Sequence, residues 1–444
     1  MSKKDEITWL ADGSYLPDIE PHTKAKHLIL EEYIANYIRI LHGTGRRGVT
    51  KFTFVDGFCG GGMYEDRDNR EKWKGSPIRL IEAARKGFKK AGRQYDEPLD
   101  IKYIFIDDKQ SHIECLKNYS FPQVGLGYLV DEEQHEYREE FGQCIEQCQF
   151  ILGEFEQVIN RCIISVESRK GSSFFLLDPF GWSHVSMNSI RKINDLSGSE
   201  ILYTYMIDYL KRFAFVKYEK NKRKTFNKIL EAEGYYESVN LDNMDTFGEQ
   251  AYYRNEAMRL FRDRGFPKHI QEKYIFTFAV IPKTDSRVLY YLMHLSKNLR
   301  ALEVMTDSFW KQNNVDSQYH FKIYGLAFET QKYYQENQFI LEFNINKDKN
   351  ELCIDKLHEQ LPDIIGDNAD GITYGEIVKR TMELNPASLL HYESYFNQLK
   401  NNKEIKIFRD GKEFNGTKFK RSDIIKLPRQ YQGNLFYNSK LFPK

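Results

Sequence analysis

Two short apolar runs, about 120 residues apart, each stop at an aspartate and then turn: FTFVDGFCGGG, Phe52 to Gly62, and FFLLDPFGW, Phe174 to Trp182. An apolar run of strand length that ends at an acid and then at glycine or proline reads as a buried strand feeding a tight turn. In an open α/β sheet, ligands bind at such carboxyl ends. The first turn sets Gly60, Gly61 and Gly62 after Asp56, so backbone can come close to a ligand. The second sets Asp178, Pro179 and Phe180 where a substrate would lie.

The elements between and around these runs predict how they are arranged. Lys24 to Leu41 has helical periodicity, with Thr23 as its expected cap. Phe52 to Val55 is the first strand. Ser76 to Ala84 reads as a helix start with Pro77 at its first position. Tyr103 to Ile106, Gln149 to Leu152, Phe174 to Leu177 and Ile201 to Ile207 are four further strands. Strands alternating with helical stretches predict a Rossmann-like, mostly parallel sheet with helices on both faces. Residues 209–271 read as a helical insertion. Tyr274 to Ile281 and Val288 to Leu295 read as an antiparallel pair that closes the sheet, and a helix through Trp310 ends the domain. The expected boundaries are therefore 1–310 for the sheet domain, 311–350 for a connecting segment and 351–444 for a second domain.

That second domain has its own pattern. Thr373 caps a helix to Met382, Pro386 to Lys400 is a second helix, and Glu404 to Phe408 and Lys418 to Ile424 flank Asp410-Gly411 and Asn415-Gly416. Helix, turn, helix, hairpin is the order of a winged helix, which serves nucleic-acid binders and protein-docking modules alike. Gly371 to Lys444 carries 14 Lys and Arg against 7 Asp and Glu, although the whole chain has a net charge of only +1. A basic tail on a mildly acidic body fits a nucleic-acid partner.

At 444 residues the chain exceeds one ordinary core, and 41% hydrophobic with 29% charged residues is globular composition. No apolar run reaches the roughly 18 residues of a membrane span. Met1 to Asp5 lacks a signal-peptide core, so a cytoplasmic protein is expected. The six cysteines suit reduced thiols. Cys144 and Cys148 read as one helical turn apart, without a second pair or histidine to complete a metal site, so none is expected.

The strand-end residues suit one cofactor chemistry, that of S-adenosyl-L-methionine. Asp56 with Gly57, Gly60 and Gly62 can approach and anchor a methionine part. A carboxylate at the end of the next strand, Asp107 with Asp108 as the alternative, suits ribose hydroxyls as in dinucleotide folds. Glu154, after the third strand, is the candidate for adenine. Asp178-Pro179-Phe180 resembles the Asp-Pro-Pro-aromatic motif of enzymes that methylate exocyclic amines of bases. In that family the acid and the following carbonyl accept hydrogen bonds from the amine, and the aromatic stacks on a flipped base. This chain has Phe180 in place of the second proline and Gly181 in place of the aromatic, so Phe180 or Trp182 is left to stack. The basic run Lys211, Arg212, Lys217, Lys220, Lys222, Arg223 and Lys224 follows the fifth strand. It is a candidate phosphate contact or a solvated helix face.

Two family resemblances extend this reading. Lys26-His27 before an amphipathic helix, with Gly75-Ser76-Pro77, is similar to RlmJ-type ribosomal-RNA adenine methyltransferases. That likeness implies that His27 and Ser76 line the cofactor. Across most of its length the chain resembles the three-Cys-motif partner (TcmP) family, through PHTKAKHLILEEYI, FVDGFCGGG, KGSPIRLIEAA, LLDPFGW and YYLMHLSKN in that order. The resemblance implies a class I methyltransferase-like fold and a phage-protein-like partner that carries the three cysteines. The expected function is methyl transfer to a base amine of a nucleic acid, RNA rather than DNA. The alternative is a catalytically idle fold of the same kind acting as a binding or regulatory subunit.

Overall fold

The computed structural model describes residues 7–43, 48–92, 98–140, 142–206, 220–236, 246–282, 290–311, 319–322, 345–368, 370–385 and 387–428. Most of the expected connecting segment 311–350 therefore lies outside the described residues. The chain divides into two compact units, residues 1–321 and 322–444.

The first unit is built on a sheet whose described strands are β1 (Lys51–Asp56), β4 (Leu99–Asp107), β5 (His135–Glu139), β6 (Gly142–Leu152), β7 (Ser172–Leu177), β8 (Ser199–Tyr205), β9 (Tyr274–Pro282), β10 (Tyr290–Ser296) and β11 (Tyr319–Lys322). A separate hairpin, β2 (Met63–Asp66) with β3 (Glu71–Lys74), follows β1. The sheet order is β11-β9-β10-β8-β7-β1-β4-β6-β5. The pairs β1–β4, β1–β7, β4–β6 and β7–β8 are parallel, while β10 runs antiparallel to both β8 and β9. Parallel strands with two reversed ones, β10 between β8 and β9 and β5 at the opposite edge beside β6, give a mixed, Rossmann-like α/β sheet. Strand order reverses on either side of β1, between β4 and β7. That reversal creates a ligand-binding switch point at the end of β1.

Helix α1 (Pro21–Gly43) starts at Pro21. Proline's missing donor costs nothing there, so Thr23 lies inside the first turn instead of capping it. The inner face of α1 seats Ile29, Tyr33, Ile34 and Ile38, all buried. Tyr33 donates to Glu200 of β8, and His294 of β10 places Nε2 2.9 Å from the same carboxylate and 3.3 Å from the Tyr33 hydroxyl. This buried polar cluster joins helix, parallel strand and reversed strand. Helix α2 (Ser76–Ala91) carries Pro77 in its first turn, as expected, and buries Ile78, Leu80, Ile81, Ala84 and Phe88. Helices α3 (Gln110–Cys115), α4 (Phe155–Arg169) and α5 (Met187–Asp195) follow β4, β6 and β7 in turn. The insertion after β8 contains α6 (Lys220–Leu230) and α7 (Thr246–Arg264), and α8 (Leu299–Lys311) follows β10.

Several expectations need correcting. Strands β4 and β6 are longer than their apolar centres, because Lys102 and Gln147 alternate with buried residues. Cys144 and Cys148 lie on β6, opposite Leu99 and Tyr103, and not on a helix. The β2–β3 hairpin carries no strong pattern of its own in the sequence. Lys24 of α1 holds it through Asp66 at 2.7 Å.

The second unit carries α9 (Ile345–Gly366), β12 (Ile372–Thr373), α10 (Tyr374–Thr381), α11 (Leu389–Asn401), β13 (Lys406–Arg409), β14 (Lys412–Glu413) and β15 (Ile424–Lys426). Thr373 caps α10, its hydroxyl accepting from the Glu376 N–H at 3.2 Å. Helix α11 begins at Leu389, three residues later than expected. The hairpin turns tightly at Asp410-Gly411, both at positive φ. Its last strand is Ile424–Lys426, also later than expected. This is a winged helix.

Candidate functional site at the carboxyl ends of the strands

Asp56 is the last residue of β1, opposite Phe105 on one side and Leu176 on the other. The turn that follows is pinned to both neighbours: Gly57 N–H donates to the Leu176 carbonyl and Cys59 N–H to that of Ile106, each at 2.9 Å. The Asp56 carboxylate is fully buried. Its Oδ1 accepts weakly from Phe58 N–H at 3.3 Å, and its Oδ2 has no well-formed hydrogen bond. Burial pushes the carboxyl up to about 7; Ser76 and the Phe58 N–H draw it back, while Asp178 and Asp107 add to the rise. An orphaned buried carboxylate oxygen costs free energy unless something cationic or hydrogen-bonding meets it.

Asp107 ends β4. Its Oδ2 accepts from Gly60 N–H and its Oδ1 from Lys109 N–H, both at 3.0 Å, and His112 Nδ1 lies 2.8 Å from Oδ1. The second acid therefore shapes the glycine turn as well as closing its own strand.

The turn is covered by a residue that nothing in the local sequence singles out. A Cβ on Gly61 would fall 2.3 Å from Trp9, and one on Gly60 2.8 Å from the same ring. Gly60 and Gly62 also adopt φ of +59° and +82°, and a Cβ on Gly62 would strike Leu116 at 2.4 Å. Trp9 is buried, donates from Nε1 to the Met63 carbonyl at 2.5 Å, and meets the rings of Tyr64 and His112 edge-on at 5.2 and 4.7 Å. Three of the glycines are thus required by protein packing on this side of the turn.

Asp178 follows β7. Lys26 of α1 donates to its Oδ2 at 2.5 Å, and the same ammonium sits 5.1 Å from the centre of the Tyr290 ring. Burial alone would raise Asp178; the Lys26 charge and hydrogen bond outweigh it and hold the carboxyl below its usual range. Pro179 is buried, whereas Phe180 is 58% exposed. Trp182 packs edge-on against Phe226 of α6 at 5.4 Å. Of the two candidate stacking residues, Phe180 is the one with an open face.

His27 is buried and accepts from Trp73 Nε1 through Nδ1 at 3.0 Å, so its proton resides on Nε2. Burial, then Arg79 and Lys26, hold it well below the usual histidine range and therefore neutral. Tyr64, on the β2–β3 hairpin, is raised by burial and then by Asp178, Asp56 and Asp107, which puts its phenol in the field of all three acids. Ser76 opens α2 beside Asp56, with Gly75 N–H donating to the Gly62 carbonyl at 2.8 Å.

Asp56, Asp107, Asp178, Ser76 and the glycines thus converge. Glu154 and Asp108 are exposed, and Glu154 Oε2 accepts from Gln157 at 2.9 Å. Lys222, Arg223 and Lys224 lie on α6, Lys222 and Lys224 exposed and Arg223 partly so. Lys211, Arg212 and Lys217 fall outside the described residues. Trp9, Tyr64, Trp73 and Tyr290 carry no local signal beyond an aromatic content of 14%. Lys26 was visible only as the neighbour of His27. All six thiols are free and buried, and no group of metal-ligating side chains occurs among the described residues. No helix among them is long and apolar enough to cross a membrane.

Residues 325–411 match the GMT-like wHTH domain family. No curated protein matches the chain. Among solved structures, the chain is similar to the plantazolicin methyltransferase BpumL in complex with SAH, at 12% identity and a TM-score of 0.24, over 62% of this chain and 86% of that one.

Proposed function

We propose that this protein is an S-adenosyl-L-methionine-dependent methyltransferase that acts on a base amine of a nucleic acid, RNA rather than DNA. We also propose that it belongs with the three-Cys-motif partner family and works with a protein that carries the three cysteines. One observation carries the reading: three acids, Asp56, Asp107 and Asp178, end three adjacent parallel strands beside the switch point, and the innermost keeps a buried oxygen without a well-formed hydrogen bond.

The residues fit such a cofactor. Asp56 and Ser76 would meet its methionine part and Asp107 its ribose, with Gly57, Gly60 and Gly62 shaping the turn; His27 stands behind them as a neutral hydrogen-bonding ring. Glu154 would reach the adenine only from an exposed position. When bound, the cofactor supplies an electrophilic methyl group. The chain itself supplies alignment. Asp178, kept ionised by Lys26, accepts an N–H of the target amine and directs its lone pair; the Pro179 backbone and the exposed Phe180 ring hold the base. Proton removal needs no strong base, since the product ammonium is acidic.

Gly181 at the position of the usual aromatic favours a second reading, an idle fold of this kind that serves as a binding subunit. Incubating the full-length protein with radiolabelled cofactor and separate RNA and DNA pools, with and without a three-cysteine partner, decides between them. Label in RNA supports the leading reading. Binding of the cofactor product without label in either pool supports the idle one.

A further inference from the structure

In the winged helix, the second helix of the helix-turn-helix pair, α11, is poor in basic charge. Lys400 is the one lysine or arginine of α11, and its ammonium is turned to the Gly416 carbonyl at 2.6 Å. His391 is buried, paired with Ser388, and burial lowers it to about 4, so it is neutral. The exposed positions of α11 are Leu390, Ser394, Gln398 and Asn401.

The cations stand instead on the hairpin and the loop that follows it. Lys412, Lys418, Lys420 and Arg421 are exposed there. The loop is held by a buried acid. Asp423, with no exposed surface, accepts from Nε and Nη2 of Arg409, each at 2.7 Å, and from the Lys420 N–H at 2.7 Å. Arg409 also donates to the Lys418 carbonyl at 2.9 Å and lies 3.6 Å from the Phe414 ring centre. The loop is docked on the start of α10, where Tyr374 N–H donates to the Asp423 carbonyl at 2.8 Å and Gly375 N–H to that of Arg421 at 3.0 Å. Arg409 thus acts inside the clamp, and the lysines are displayed from a backbone fixed at both ends. Such fixing removes much of the ordering cost that flexible lysines meet on binding.

We infer that this clamped wing loop, and not α11, is the surface with which the unit grips a nucleic-acid phosphate backbone. The inference rests on the proposed nucleic-acid target. It is tested in the full-length protein by fluorescence anisotropy with labelled RNA and DNA oligonucleotides at several salt concentrations. The triple change Lys412→Gln, Lys418→Gln and Lys420→Gln is compared with the pair Ser394→Ala and Gln398→Ala. The triple change is expected to weaken binding about tenfold or more at low salt. It should also flatten the slope of log affinity against log salt by about 2 to 3, since each phosphate no longer neutralised removes about 0.9. The α11 pair is expected to stay within about twofold, as it removes no charge. An unchanged slope in the triple variant, loss confined to the α11 pair, or absence of salt-dependent binding by the unmodified protein overturns the inference. Calorimetry with the demethylated cofactor on the same proteins keeps the two readings apart: wing-dependent binding without cofactor binding sinks the methyltransferase reading alone.

Discussion

Lys26 of the first helix holds Asp178 at the end of β7 by an ion pair of 2.5 Å, across 152 residues of sequence. The pair keeps a half-buried carboxylate ionised where a substrate amine would have to be oriented. Asp178→Ala is expected to lower methyl transfer by about 10²-fold or more, while affinity for the demethylated cofactor stays within a few-fold. Transfer assays and calorimetry on one preparation check both.

Removing the cation has a different signature. In Lys26→Met, burial loses its strongest opponent, with only Thr204 and His27 left to counter it, and the Asp178 carboxyl rises. Activity is then lost more at about pH 6 than at about pH 8, so the acidic limb of the pH–rate profile moves upward. A uniform loss across pH would show that Lys26 acts otherwise.

Asp56 makes binding of a cationic ligand depend on pH. With its carboxyl raised to about 7, it is largely protonated at pH 6 and ionised at pH 8. A sulfonium ligand is expected to bind more tightly as pH rises to about 7, by up to about tenfold per unit, and then level off. Asp56→Asn should bind weakly without that slope. Stability runs the other way. A carboxyl raised above its unfolded value of about 3.9 favours the folded chain at low pH and loses that contribution as pH climbs through about 7. Asp56→Asn should therefore gain in Tm relative to the unmodified protein at about pH 8 and not at about pH 4.

Trp9 props the glycine turn from the side of Gly60 and Gly61. Trp9→Ala opens an indole-sized space there and is expected to cost about 3–5 kcal/mol, read by denaturant unfolding. Under conditions where the variant remains folded, affinity for the demethylated cofactor should also fall, because His112, paired with Asp107, loses its ring neighbour.

The thiols of the first unit should be inert in the folded state. Cys59, Cys115, Cys144, Cys148 and Cys162 are buried, and burial raises each. A thiol reagent at neutral pH is expected to label them only as fast as the protein unfolds.

The strands bearing Asp56, Asp107 and Asp178 were legible because each joins an apolar run to an acid and then to a turn, signals that neighbours in sequence supply. The winged helix was legible for the same reason, through Thr373, Asp410 and Gly411. Strand lengths were not, since Lys102 and Gln147 look polar in isolation and alternate with buried residues only once β4 and β6 pair. The four-residue spacing of Cys144 and Cys148 suits a helical turn as well as one face of a strand, so spacing alone misassigned it. The β2–β3 hairpin and Trp9 owe their positions to Lys24, Gly60 and Gly61 rather than to any periodicity.

The buried meeting of Tyr33, Glu200 and His294 has a consequence for how the chain matures on the ribosome. The first helix is made well before two of the groups that satisfy its central tyrosine, which lie about 170 and 260 residues later. Strand β10 follows that helix out of the exit tunnel by roughly 13 seconds, at roughly 20 residues per second over the 261 residues between Tyr33 and His294. Until then the apolar face of that helix has no complete seat. A nascent chain stalled before residue 294 would be expected to recruit hydrophobic-binding chaperones, and one stalled well past it to release them.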